Sequence, residues 1–485
     1  MKIDLNADSY KGPAKIYDIC VVGTGPAGMT LALEMARAGK TVALFEGGDM
    51  DITEESQDIY NGENIGREYY GLEGCRLRYF GGTSGHWGGL CHPLAAFDFE
   101  RRDYFDLSGW PISKADLDDY IARAHEIFDL GDQTFDPPPR PKWNSPLFER
   151  VRLAQSPPTR FGEKYRDQVV GSDKIDLFVN ANLVDMRLND GLNHVTSIKV
   201  KNFKKDEFDF SAKRFALCCG AVENARLLLN FSSQVSVGIG NHSDFVGRCF
   251  MEHLNVDVGG FVVSDAAFWK DALFVKPRRD FSIKEKIANV LLVFGPNSNV
   301  MFGGRLGPLK NFVRDQVCKS PSLTDLAREL VHFYCPGDGL ITTLAEQSPN
   351  RESRVTLYDE SDALGLRRVR LNWQINDLDK RTIRRAAIEA AKELTRLDLA
   401  RVQFTEQIYN EDMDLTVGKH CHQMGTTRMA SLPKDGVVDG DCKVFGIDNL
   451  YLGGSGVFST GGGVNPTFSI VQLALRLSDH LKNLA

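Results

Sequence analysis

The chain has 485 residues, enough for two or three domains' worth of core or for one large fold. With 42% hydrophobic and 25% charged residues it reads as a globular protein, and a net charge of −7 excludes a surface built for nucleic acid. Ten cysteines in so long a chain are not a disulfide framework. The longest apolar runs, such as ANVLLVF from Ala288, are too short to span a bilayer. The N-terminal MKIDLNADSYKGPAK lacks the basic-then-apolar order of a secretory signal, so the expectation is a reduced, cytoplasmic protein.

Residues 17 to 46 read YDICVVGTGPAGMTLALEMARAGKTVALFE. They predict a buried strand over Ile19–Val22, a glycine turn, an amphipathic helix, and a second strand over Thr41–Phe45 that ends on Glu46. Gly23 permits the tight turn, Gly25 lets the backbone approach a pyrophosphate, and Gly28 lets helix and strand pack closely. The helix N-terminus offers free N–H groups to phosphate, and Glu46 can accept hydrogen bonds from both ribose hydroxyls. This order points to a dinucleotide but does not separate FAD from NAD.

Residues 76 to 94, RLRYFGGTSGHWGGLCHPL, carry five glycines between Gly81 and Gly89. Such a loop can lie flat against a ligand and present successive N–H groups, or serve structure alone. His86 and Trp87 are costly residues for a mere spacer. DPPPRPKWNSP, 136 to 146, reads as a surface connector. Lys174–Leu188 reads as a strand pair or one long strand, with an Asn189-Asp190-Gly191 turn and another strand after it. KNFKK, 201 to 205, is a solvated turn. RFALCCG, 214 to 220, is a buried strand leading into the helix AVENARLLLN, which returns the chain to nucleotide-domain character. VTLYDE and RRVRLNWQI, joined through SDALGL, read as a hairpin, with the helix KRTIRRAAIEAAKELTRL behind it.

GKHCHQMGTTRM, 418 to 429, packs two histidines and a cysteine into a stretch with little charge. His420 and His422 could share a strand face and bind a metal, but no third-ligand motif is visible. Cys421 would point away from both if the stretch is extended. Beyond it, a strand over Leu450–Leu452 enters Gly453-Gly454-Ser455, and Asn465-Pro466 opens a helix with Phe468, Val471 and Leu475 on its inner face. Asn465 before Pro466 is also what an ordinary helix cap looks like.

GTGPAG…FEGG, GGTSGHWGG, and HQMGTTRM followed by VNPT together resemble the glucose–methanol–choline oxidoreductase family. EQSPNRESRVTLYDESDALG from Glu346 and RVRLNW from Arg368 are similar to its bacterial members related to pyranose oxidase and fructose dehydrogenase. The poorest match, roughly 255 to 340, is the region expected to shape substrate choice. The resemblance implies FAD, touched by Gly23, Gly25, Gly28, Glu46, Gly82, Thr83, Ser84, His86, Gly89, Val184, Gly220, Gly454, Ser455, Pro466 and Thr467, and no metal. Some members attach FAD covalently through a histidine in the loop that holds His86 here, and others do not, so both remain open.

The resemblance also implies that His422 takes an alcohol's hydroxyl proton while the carbinol hydrogen leaves as hydride to flavin N5. Asn465, 465 − 422 = 43 residues on, would hold the substrate oxygen. Histidine suits this work because its ordinary pKa lies near neutrality. The helix start at Pro466 adds a positive pole for the negative charge of reduced flavin. Many bacterial relatives carry a histidine two residues before this asparagine, where this chain has Gly463. The expected fold is α/β: a discontinuous Rossmann-type FAD-binding domain from 15–100, 170–250 and 430–485 with a mainly parallel sheet. An α+β substrate domain from 101–169 and 251–429 would hold an antiparallel sheet, with the hairpin in it. The expected substrate is a sugar, polyol or other secondary alcohol, with O2 or another electron acceptor. A redox-neutral lyase holding FAD structurally is the alternative, and oligomeric state is not readable.

Overall fold

A computed structural model describes residues 1–296 and 338–484 except 8, 9, 11, 13, 14, 265–267 and 270, and between 297 and 337 only 313, 316–318, 320, 322, 323 and 326. About two fifths of the stretch expected to shape substrate choice therefore lies outside the described residues. One sheet is wholly parallel, with six strands in the order Lys2–Asp4, Ile175–Val179, Val42–Phe45, Tyr17–Val22, Ala212–Leu217 and Leu450–Leu452. Its apolar side chains are buried, with helix Pro26–Arg37 packed on the central strands and Phe210 of strand Glu207–Phe210 packed against Phe45 and Phe178. Helix Pro26–Arg37 follows Tyr17–Val22 and packs against the C-terminal helix Thr467–Asn483. Both ends of the chain and its middle thus meet in one sheet.

Lys174–Leu188 is two strands that part company. Asn180 adopts φ 53°, a left-handed turn that asparagine tolerates, and ends Ile175–Val179 in the parallel sheet. Asn182–Leu188 then leaves to form a three-stranded antiparallel sheet with Val195–Lys201 and Glu207–Phe210.

The second large sheet has eight strands, all antiparallel. Six run in the order Ala400–Phe404, Asp257–Val263, Asp338–Ala345, Val290–Pro296, Leu273–Pro277 and Phe148–Arg150, and the short strands Leu254–Asn255 and Gly418–Lys419 join at Ala345. Helix Asp377–Arg396 packs on this sheet. Its cap is reciprocal: Asn376 Oδ1 accepts from Asp379 N at 3.1 Å, and Asn376 N donates to Asp379 Oδ2 at 2.9 Å.

Two expectations need correction. The hairpin Arg354–Ser361 with Arg367–Asn372 forms, but outside this sheet: Arg367–Asn372 pairs in parallel with Gly62–Asn64 to make a separate three-stranded sheet. Alternation identifies a strand but not the open edge that will receive it. The cysteines are not uniformly thiols either, since Cys318 is disulfide-bonded while the other eight described cysteines are free. Among the described residues no helix is long and apolar enough to cross a membrane.

Candidate active site and cofactor cradle

The glycines of the first loop do different jobs. At Gly23, φ 103°, an added Cβ would sit 2.6 Å from the Cys218 carbonyl oxygen, and at Gly28 it would sit 1.9 Å from that of Gly23. These two positions exclude any side chain. Gly25 has ordinary extended backbone, φ −67°, with nothing within 4 Å of its Cβ position. It faces open space at the N-terminus of helix Pro26–Arg37. The second loop arrives at the same place. Gly81 N donates to Thr24 Oγ1 at 2.9 Å, and a Cβ on Gly82 would lie 3.4 Å from Gly25 Cα. A Cβ added at Gly454 would lie 3.9 Å from Gly220 Cα, and Gly220 itself faces open space.

The remaining expected cofactor residues take the following places. Glu46 is buried and accepts from Thr24 Oγ1 and from Gly48 N, the latter at 3.0 Å. Ala181 N donates to the Glu46 carbonyl at 2.8 Å, three residues before Val184, which is buried with Ile59 and Leu364. Thr83 Oγ1 accepts from Leu77 N, and Ser84 Oγ donates to Gly81 O and accepts from Phe161 N. Their hydroxyls thus shape the loop. Gly89 packs against Gln155, and Ser455 Oγ donates to Gln423 O at 2.6 Å. His86 is exposed at the loop's rim, where burial of part of the ring and the Arg160 charge lower its pKa. Arg160 Nη1 anchors the loop by donating to Ser84 O and Trp87 O. Pro466 and Thr467 begin the C-terminal helix.

An open cradle at Gly25 and Gly220, a helix start and a buried acid at a strand end fit a dinucleotide such as FAD. A further basic residue lies against the turn after Glu46. The Arg78 guanidinium lies so close to Gly47 that a Cβ there would be 2.2 Å from Nη2, and Nη1 donates to Ser56 Oγ at 3.1 Å. The Gly47-Gly48 pair after Glu46 was its only trace in the sequence.

His422 and Asn465 meet. Asn465 Nδ2 lies 3.3 Å from His422 Nε2 across 43 residues of sequence. Pro466, not Asn465, holds the cap position of the helix, which has no side-chain cap. The cap reading of Asn465 therefore does not describe its amide, which faces the histidine.

Behind His422 is a second histidine. His253 Nδ1 lies 2.9 Å from His422 Nδ1 with the rings at 87°, and His253 Nε2 lies 2.9 Å from Gly462 O and 3.3 Å from Gly461 O. His420 stacks parallel to His422 at 5.4 Å, and its buried Nε2 has no partner. The chain kinks at Cys421, φ 58°, and does not run extended. Among the described residues no three His, Cys, Asp or Glu side chains are grouped to hold a metal.

The buried Glu252 carboxylate pins this corner. Its Oε1 accepts from His422 N at 2.7 Å and from His253 N at 2.8 Å, and its Oε2 accepts from the Tyr69 hydroxyl at 2.5 Å. Burial pushes Glu252 up to about 7 and His253 down to about 4. His422 is held well below the usual histidine range by burial and by its two histidine neighbours. Gly462 N donates to Glu346 Oε1 at 3.2 Å, and Arg102 grips the same carboxylate through two bonds of 2.8 and 3.0 Å. A Cβ at Gly463 would lie 3.3 Å from Asn289 Cγ and from Val290 N, so a side chain there would require these neighbours to shift by a few tenths of an ångström. The sequence signal for Glu252 and His253 was an adjacent acid and base inside the apolar run FMEHL, where ionisable groups need partners.

The fold and this site define an FAD-binding oxidoreductase. Residues 18–51 match the model described as FAD binding domain, and residues 349–474, which include His422 and Asn465, match that described as GMC oxidoreductase. Over residues 349–474, about a quarter of its length, the chain is thus similar to GMC oxidoreductases. It is 25% identical to paromamine 6'-oxidase of Streptomyces fradiae, over 95% of this chain and 90% of that protein. It is 23% identical to 2-methyl-1,2-propanediol dehydrogenase of Mycolicibacterium austroafricanum, over 96% and 95%. The solved pyridoxine 4-oxidase from Mesorbium loti shares the fold, with a TM-score of 0.58 at 16% identity over 96% of this chain and 99% of that one.

Proposed function

We propose that this protein oxidises a CH–OH group of a small alcohol or carbohydrate, with His422 as general base and Asn465 as the group that holds the substrate oxygen. The observation that carries this reading is the 3.3 Å approach of Asn465 Nδ2 to His422 Nε2. Held by the glycine cradle, Glu46 and the start of helix Thr467–Asn483, FAD supplies the acceptor for the carbinol hydride.

Because its pKa lies well below the usual value, His422 is neutral at pH 7 and offers a lone pair to a hydroxyl proton. The Asn465 amide donates toward the same point, so an alcohol oxygen placed there meets both a donor and a base. The helix start beyond Pro466 favours negative charge over its first turn. FAD binding is assigned to 15–100, 170–250 and 430–485, and substrate binding to 101–169 and 251–429. Relatives named for paromamine and for 2-methyl-1,2-propanediol, both hydroxylated small molecules, support this substrate class.

The test is anaerobic mixing of holoenzyme with paromamine, 2-methyl-1,2-propanediol and a panel of sugars, followed by flavin bleaching. His422→Ala should slow bleaching by at least ~10²-fold at equal FAD content, the lower range for a positioned base. Undiminished bleaching removes His422 from the role. Turnover without any bleaching favours the redox-neutral lyase. Repeating the assay in air separates O2 from other electron acceptors.

A further inference from the structure

We infer that His253 is a positioning residue for this oxidation: it fixes the tautomer of His422 so that Nε2, the nitrogen facing Asn465, carries the lone pair. The inference rests on the reading of His422 as base. The chain of hydrogen bonds is anchored at its far end. Two carbonyl oxygens, of Gly462 at 2.9 Å and Gly461 at 3.3 Å, face His253 Nε2. Carbonyls only accept, so Nε2 of His253 carries a proton. A neutral imidazole has one N–H, and burial keeps this ring neutral above about pH 4. Nδ1 of His253 is therefore an acceptor.

That acceptor lies 2.9 Å from Nδ1 of His422. Two lone pairs at this distance would repel, so Nδ1 of His422 carries the proton and donates it. Nε2 of His422 is left unprotonated, and it is the atom that Asn465 Nδ2 approaches at 3.3 Å. An amide nitrogen is a donor, so the near end of the chain agrees with the far end. The direction runs from Asn465 to His422, to His253, to the Gly461 and Gly462 carbonyls, without a mismatch.

The backbone holds the relay in register. Glu252 Oε1 accepts from the main-chain N–H of both histidines, and Glu346, gripped by Arg102, accepts from Gly462 N. When His422 takes a proton at Nε2, its Nδ1–H still points at a neutral acceptor, which favours the imidazolium. His253 keeps its own proton throughout. The titratable groups around the two rings are Glu252 with Tyr69 beneath their backbone, His420 stacked on His422, and Glu346 beyond Gly462.

The experiment uses holoenzyme with 15N-labelled histidine, His253→Asn, which keeps an acceptor near the Nδ1 position, and His253→Leu, which does not. Nitrogen–proton correlation spectra, assigned with His422→Ala, should show His422 protonated on Nδ1 in the wild type and in His253→Asn. With an alcohol that bleaches the wild type, His253→Leu should lower the limiting rate of flavin reduction at least ~10-fold and leave half-saturation within about 2-fold. His253→Asn should recover most of that rate. A wild-type His422 protonated on Nε2, or a His253→Leu enzyme reduced at the wild-type rate, overturns the inference. If His253→Leu does not fold, the wild-type tautomer decides alone. Full activity in His422→Ala would sink the base assignment instead, while the tautomer, measured without substrate, stands or falls separately.

Discussion

The glycine cradle and the histidine corner meet their ligands in opposite ways. In the cradle as proposed the main chain faces the ligand, and Gly23 and Gly28 leave no room for a side chain while Gly25 opens onto free space. In the corner the side chains act, and the partners of His422 come from residues 169 and 170 positions earlier. Recognition by backbone is written within a few residues. Recognition by a side-chain network is scattered, because only the fold brings its members together.

The sharpest way to break this contrast is inside the cradle itself. Gly28→Ala would drive a methyl group to 1.9 Å from the Gly23 carbonyl, so the turn must open. Overpacking against backbone costs about 1–3 kcal/mol or more, and the variant should lose both FAD and much of its thermal stability. Gly25→Ala meets nothing within 4 Å and needs no unusual φ. It should fold normally, melt as the wild-type apoprotein does, and bind FAD weakly because the methyl occupies the space before the helix start. Flavin absorbance per chain, read beside apoprotein melting curves, checks both. Full flavin occupancy in Gly25→Ala would show that this position does not face the cofactor.

In the corner, the next largest effect belongs to Glu252. Burial raises its carboxyl from 4.5 to about 7, so between those values the folded chain keeps a proton that the unfolded chain has released. Stability present below pH 4.5 is lost as pH rises through 7, by roughly 3 kcal/mol at 1.36 kcal/mol per unit. Glu252→Gln has no proton to lose. Its melting temperature should therefore rise relative to wild type as pH goes from 5 to 8. Asp379, also raised to about 7, is present in both proteins and cancels in the difference. His253 works in the opposite direction, adding stability as pH climbs from 4 to 6.5, and cancels likewise. A difference that stays flat across this range would place an ionised carboxylate at Glu252 throughout.

The same contrast sets what could be read from the sequence. Tyr17–Val22, Val42–Phe45, Ala212–Leu217 and Leu450–Leu452 are apolar runs next to glycine turns or helices, and the parallel sheet follows from them. The left-handed turn at Asn180 was hidden, because nothing in NAN marks which side of it changes sheets. The hairpin was visible, but its partner Gly62–Asn64 lies some 300 residues away. His422 and Asn465 stood out because each sits in a recognisable segment. Glu252 and His253 did not, since MEHL becomes informative only once Gly462, Tyr69 and His422 surround it.

Asn465 offers the smallest effect and the finest discrimination. Asn465→Ala removes one neutral donor facing Nε2 of His422, a loss of about 1 kcal/mol and hence roughly 5-fold in rate. Because no charge changes, the reduction in flavin bleaching should be similar at every pH. Asn465→Asp keeps the size and replaces the donor with an anion beside the lone pair. An opposite charge at this range favours the imidazolium and raises the pKa of His422. At neutral pH more of the base would already be protonated, so bleaching should fall further than in the alanine variant. It should then recover as pH rises, with the acidic limb of the rate profile displaced upward. Parallel pH profiles for the two variants would mean that residue 465 acts on the substrate alone and has no hold on the proton at His422.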